Sequence, residues 1–125
     1  MNQGTEERLK EYSWHDCPVY SFKFDDNFSL DIDYILEWKL EKGNSYKYLI
    51  APASLEFIEV TALKINIETS FVNGFEIDRI EYSNGTWGIY LQEGKIEFKA
   101  KDFLQKIRKD PIWKTNQFLS EIERN

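Results

Sequence analysis

Leu30-Asp31-Ile32-Asp33-Tyr34-Ile35-Leu36-Glu37-Trp38-Lys39-Leu40 alternates apolar and polar side chains, with Ile35 the single exception. Successive side chains of a strand point to opposite faces, so Leu30, Ile32, Tyr34, Leu36, Trp38 and Leu40 are expected on one dry face. Asp31, Asp33, Glu37 and Lys39 are then expected on a hydrated, charged face. This is the signature of an antiparallel sheet with one side on a core and the other in water.

Working outward, residues 19–24 also alternate, and Asp25-Asp26-Asn27 supplies turn chemistry before the long strand, which predicts a hairpin. Gly43-Asn44 ends the long strand. Residues 46–50 run into Ala51-Pro52, where a proline without a backbone donor predicts a turn or a sheet edge. Residues 55–67 are rich in apolar side chains but change phase near Val60-Thr61-Ala62, which predicts a bulge or bend. Asn73-Gly74, Asn84-Gly85 and Glu93-Gly94 mark the turns of a meander with strands over 75–82, 86–91 and 95–100. In the tail, residues 102–108 read either as a short helix or as more strand, and Asp110-Pro111 interrupts them. Thr115 is placed to cap a final helix over 116–124, where Phe118, Leu119 and Ile122 stand at helical spacing.

The expected architecture is mainly β. It is a single antiparallel sandwich or twisted half-barrel of seven or eight strands over 14–125, with a short helical C-terminal tail and an α+β arrangement as the alternative. Residues 1–13 are polar and read as a flexible N-terminal arm with at most one helical turn. A chain of 125 residues suffices for one core, and 4 Trp, 7 Tyr and 9 Phe argue against disorder.

Charge and composition exclude several classes. The 22 acidic residues outnumber 16 basic ones, giving a formal net charge of −6, a field that repels nucleic acid and anionic membrane surfaces. Basic residues gather in the last third, at Lys95, Lys99, Lys101, Lys106, Arg108, Lys109 and Lys114, and leave the rest acidic and suited to a basic protein partner. One cysteine closes no intramolecular disulfide, and no segment has the length of a membrane span or the order of a secretory signal, so a cytoplasmic location is expected. Nucleotide-binding loops and the serine-hydrolase elbow are missing, so no cofactor is expected.

The one suspicious cluster is Trp14-His15-Asp16-Cys17-Pro18, which holds the only histidine and the only cysteine. In an extended segment His15 and Cys17 share a side, as a thiol enzyme or a cryptic hydrolase would need, with the orienting third group supplied either by Asp16 or by a residue distant in sequence. The plainer reading, a structural cysteine at a strand entry beside a turn-capping aspartate, is preferred. No metal site is expected, because one His and one Cys do not complete a zinc shell. Asp31 and Asp33, about 7 Å apart on one strand face, lack the further ligands and the loop of a calcium site.

The phrases Trp14-His15-Asp16-Cys17-Pro18-Val19, Leu30-Asp31-Ile32-Asp33-Tyr34-Ile35-Leu36-Glu37-Trp38 and Ala51-Pro52-Ala53-Ser54-Leu55-Glu56-Phe57 resemble a group of small uncharacterised bacterial proteins, over 14–108. The order of His-Asp, apolar hairpin, Leu-x-Phe-x-x-Val and terminal meander is similar, more loosely, to immunity-type proteins encoded beside polymorphic toxins. That resemblance implies a non-enzymatic protein-binding module that neutralises a partner. On that reading Asp31, Asp33 and Glu37 are contact candidates, with Trp14 as an aromatic anchor. A small-molecule-binding β domain is the alternative, and a hydrolase or thiol enzyme at His15 and Cys17 comes third. A homodimer through the edge at 46–50 is a further expectation.

Overall fold

The computed structural model of the chain describes residues 3–70, 72 and 74–125. Within it the chain is mainly β, as the alternation requires. After a helix α1 (Gln3–Leu9) come β1 (Pro18–Phe24), β2 (Phe28–Leu40), β3 (Tyr46–Ile58), β4 (Thr61–Ile67) and β5 (Phe75–Ser83). β6 (Thr86–Leu91), β7 (Gly94–Lys99), β8 (Asp102–Ile107), β9 (Ile112–Lys114) and a terminal helix α2 (Glu121–Arg124) follow. Every strand pairing is antiparallel, in the order β4-β7-β6-β5-β1-β2-β3-β8, with β9 also on β3.

Two long bent strands make the sheet curl into a barrel. β3 and β4 are separated only by Glu59 and Val60, and β7 and β8 only by Ala100 and Lys101. The register runs on through this corner: Ile58 lies opposite Asp102 and Thr61 opposite Lys99, with Lys101 N donating to Ile58 O at 2.9 Å. Glu59 and Ala62 take positive φ at the bend, where the sequence changes phase. The ribbon thereby joins the β1-β2-β3-β8 side to the β5-β6-β7-β4 side, while β1 meets β5 at Pro18 and Val19. Aromatic rings from both sides fill the interior, with Phe57 at 4.7 Å from Phe98 and 5.0 Å from Trp87. Trp87 is fully buried and its indole N–H donates to Ala100 O.

The long strand departs from simple alternation in two ways. From Phe28 to Ile35 nearly all of β2 is buried, polar positions included, so the face carrying Asp31 and Asp33 is covered rather than hydrated. At Ile35 the pairing slips: Ile35 faces Ile50, but Glu37 faces Leu49, which leaves Leu36 in a bulge. Directly opposed residues share a side, so the slip turns Trp38 and Leu40 away from the core face that Leu30, Ile32 and Tyr34 line. Leu36, Trp38 and Leu40 are accordingly exposed.

Pro52 is not at a turn. β3 passes straight through it, paired to Asp33 of β2. Arg108 N donates to Pro52 O at 2.8 Å, so the side on which proline lacks a donor faces the gap between β8 and β9, where no strand needs one. β8 resolves the ambiguity of the tail in favour of a strand. The terminal helix is only Glu121–Arg124, closed by a capping box of Ser120 and Glu123 instead of by Thr115. Leu119 alone of the three helically spaced residues is buried.

The N-terminal stretch read as a loose arm is helical in α1 and docked. Thr5 Oγ1 donates to Asp102 at 2.9 Å, Arg8 forks onto the same carboxylate at 2.9 and 3.1 Å, and Arg8 also bonds Phe103 O at 2.6 Å. Met1, Asn2 and, in the expected Asn73-Gly74 turn, Asn73 lie outside the described residues. Asn84 and Gly85 form their turn with φ of 50° and 81°, as tight hairpins demand. Among the described residues no helix is long and apolar enough to cross a membrane.

Candidate functional site

The segment from Trp14 to Pro18 is a turn and not an extended run. Cys17 N donates to Trp14 O at 3.1 Å, and Asp16 sits at φ 65° between them. This separates His15 from Cys17. The imidazole is more than half exposed, with Nδ1 3.1 Å from Asp78 O and Nε2 3.4 Å from Asp16. The thiol is fully buried, bonded to the backbone of Ile35, and burial pushes it up to about 12. A thiol held that far above neutrality is not a nucleophile.

The expected contact residues are also placed differently. Asp31 accepts from Ser54 Oγ at 3.0 Å and pairs with Lys23 at 3.0 Å. Asp33 is fully buried, accepting from Leu119 N at 2.9 Å and from Arg124 Nε at 3.0 Å. Both carboxylates are buried and bonded to groups of the chain itself. Trp14 is buried too, its indole N–H on Gln105 Oε1 at 2.7 Å and its ring stacked on Tyr12, so it is core rather than anchor. Glu37 alone stays exposed.

A different set of carboxylates converges. β5 continues its pairing with the chain before β1 through Asp16 N to Ile77 O, 2.8 Å, and Ile77 N to Cys17 O, 3.0 Å. That brings Asp16 beside Glu76, while the β6–β7 turn places Glu93 Oε1 on Glu76 N at 3.2 Å. Glu76 is pushed up to about 7, first by burial, then by a hydrogen bond to Asp16 and by the Asp16 and Glu93 charges. Among the described residues none of these three carboxylates pairs with a Lys or Arg. Glu76 and Glu93 line a cleft of about 590 Å3 between β1, β5 and the C-terminal segment, with Phe75, Phe118 and Leu119 as apolar wall and Arg124 at its side. No group of three or more His, Cys, Asp or Glu among the described residues is arranged to hold a metal ion.

Nothing local in the sequence marks this cluster. Its members come from three separate segments, and only the turn at Asp16, the pairing of Ile77 with the chain before β1 and the β6–β7 turn bring them together. A second feature is the free end of the β2–β3 hairpin, where Trp38 lies 5.0 Å from Tyr48 and 6.3 Å from Tyr46, ring edge to ring face. Comparison with protein families, with curated proteins and with solved structures finds no match to this chain.

Proposed function

We propose that this chain is a non-enzymatic protein-binding module that takes a basic side chain of its partner between Asp16, Glu76 and Glu93, in the manner the immunity-type resemblance implies. The observation that carries the reading is the Glu76 carboxyl, which is hydrogen-bonded to Asp16 and accepts from Gln92 Nε2 at 3.0 Å but, among the described residues, has no Lys or Arg paired with it. A carboxyl that burial and two like charges hold near 7 is stabilised as an anion once a Lys or Arg enters, and binding recovers that energy. Phe75 and Phe118 offer apolar surface for the methylene stem of such a side chain. The net charge of −6 adds long-range attraction for a basic partner.

The test begins with capture from source-cell lysate on immobilised protein, followed by rebinding of the purified partner. Glu76→Gln with Glu93→Gln is expected to weaken that partner at least about tenfold and to flatten its salt dependence. Unchanged affinity rejects the reading. A small amphiphilic cation is the second reading, favoured by the size and mixed walls of the same cleft. It would show as displacement of the partner by simple arylalkylamines.

A further inference from the structure

The outer edge of β2 is open over its last five residues. β1 leaves β2 after pairing Val19 with Ile32, and the Cys17 thiol takes the Ile35 backbone. Among the described residues no strand pairs with the outer side of residues 36–40, and β3 occupies only the inner side. All five residues are exposed, with Leu36 at 39%, Trp38 at 44% and Leu40 at 58%. An unpaired edge carrying large apolar side chains is a template for another strand. The corresponding edge of β3, where a two-fold contact was expected, is already filled by β9 over Tyr48–Ile50.

The segment is self-complementary when it meets itself in the antiparallel sense. With Trp38 at the centre, Trp38 faces Trp38 of the second copy and Leu36 faces Leu40. Glu37 faces Lys39, and the symmetric pair repeats the match. Directly opposed side chains lie on one side of the sheet, where opposite charges stabilise and like charges destabilise. Moving the centre to Glu37 sets carboxylate against carboxylate, and moving it to Lys39 sets ammonium against ammonium. A centre between residues mixes apolar with charged positions. The Trp38 register is thus the one that satisfies both faces. It also sets the Trp38, Tyr46 and Tyr48 rings of both copies on the same side of a joined four-stranded ribbon.

We infer that the chain forms a two-fold homodimer by pairing residues 36–40 of β2 with the same residues of a second copy, centred on Trp38. This surface lies on the hairpin, and the inference is independent of the carboxylate cleft.

Sedimentation and light scattering over a concentration series test it. The wild-type chain is expected to pass from monomer to dimer. Glu37→Lys or Lys39→Glu alone, which creates two like-charge pairs per dimer, is expected to raise the dissociation constant roughly tenfold or more. The double variant restores both opposite pairs and is expected to restore the dimer. Opposed Cα atoms of antiparallel strands lie about 4.5–5.5 Å apart, within disulfide reach. Trp38→Cys is therefore expected to give an intermolecular 38–38 disulfide under oxidation, and the buried Cys17 does not compete. A wild-type monomer at every concentration, a dimer indifferent to the single reversals, a double variant that fails to recover, or no 38–38 bridge each overturns the inference. The bridge does not depend on the charge variants folding.

Discussion

Asp33 and Arg124 stand 91 positions apart and close a forked ion pair, Nε to Oδ1 at 3.0 Å and Nη2 to Oδ2 at 2.5 Å, over a carboxylate with no exposure at all. Leu119 N supplies the third bond to the same carboxylate, so among the described residues the hydrogen-bond partners of Asp33 come from the C-terminal segment. β9 and this pair together fasten that segment over β2 and β3. Arg124→Ala leaves a buried charge uncompensated and is expected to cost about 3–5 kcal/mol. Asp33→Asn in that background should recover part of the loss. Urea unfolding of the four members of the cycle measures the coupling, and additive losses would show that the pair is not a unit.

Cys17 is expected to be inert in the folded chain. Its Sγ is buried in the core, and burial holds the thiol up to about 12, so thiolate is scarce at any physiological pH. Alkylation by iodoacetamide should proceed only at the rate of global unfolding and accelerate with denaturant in parallel with it. Rapid native-state modification would contradict the burial and would bring thiol chemistry back into consideration.

The fold class was legible because alternation and turn dipeptides are local, and the strands from Phe75 to Lys99 lie where those signals put them. The faces were less legible. Ile35 is the residue at which the alternation fails and also the residue at which the ladder slips, so the irregularity was visible while its consequence for Trp38 and Leu40 was not. Asp31 and Asp33 were misread as hydrated because their cover comes from Lys23, Ser54, Leu119 and Arg124, none of which local periodicity connects to them. The cluster at Asp16, Glu76 and Glu93 had no sequence signal, since it depends on a register set by tertiary pairing.

Glu76 should make stability fall as the solution turns alkaline. Its folded value, raised to about 7 by burial and then by Asp16, lies above the ordinary 4.5, so the folded chain keeps a proton that the unfolded chain releases between those values. The group's contribution is full below about 4.5 and is lost as pH rises through 7. Glu76→Gln is expected to leave stability nearly unchanged at pH ~5 and to raise it by about 1 kcal/mol at pH ~8, after allowing for solvent screening. Denaturant midpoints at the two pH values measure this. An equal gain at both would mean that the effect is packing, not charge.

Gly94 and Gly88 make a contrast that tests the barrel seam. At Gly94, a Cβ would stand 2.1 Å from Asn66 O and 2.9 Å from Ile67 Cα, both backbone atoms of the strand β4 that β7 must hold. Neither can yield without opening the ribbon, so Gly94→Ala is expected to cost about 3 kcal/mol. At Gly88 the nearest atom is the Tyr90 ring at 3.1 Å, a side chain lying under Arg79 that can shift by a few tenths of an ångström. Gly88→Ala is therefore expected to cost less than about 1 kcal/mol. Thermal or urea unfolding of the two variants ranks them. If both cost the same, the close approach of β4 to β7 at Gly94 is not what closes this end of the barrel.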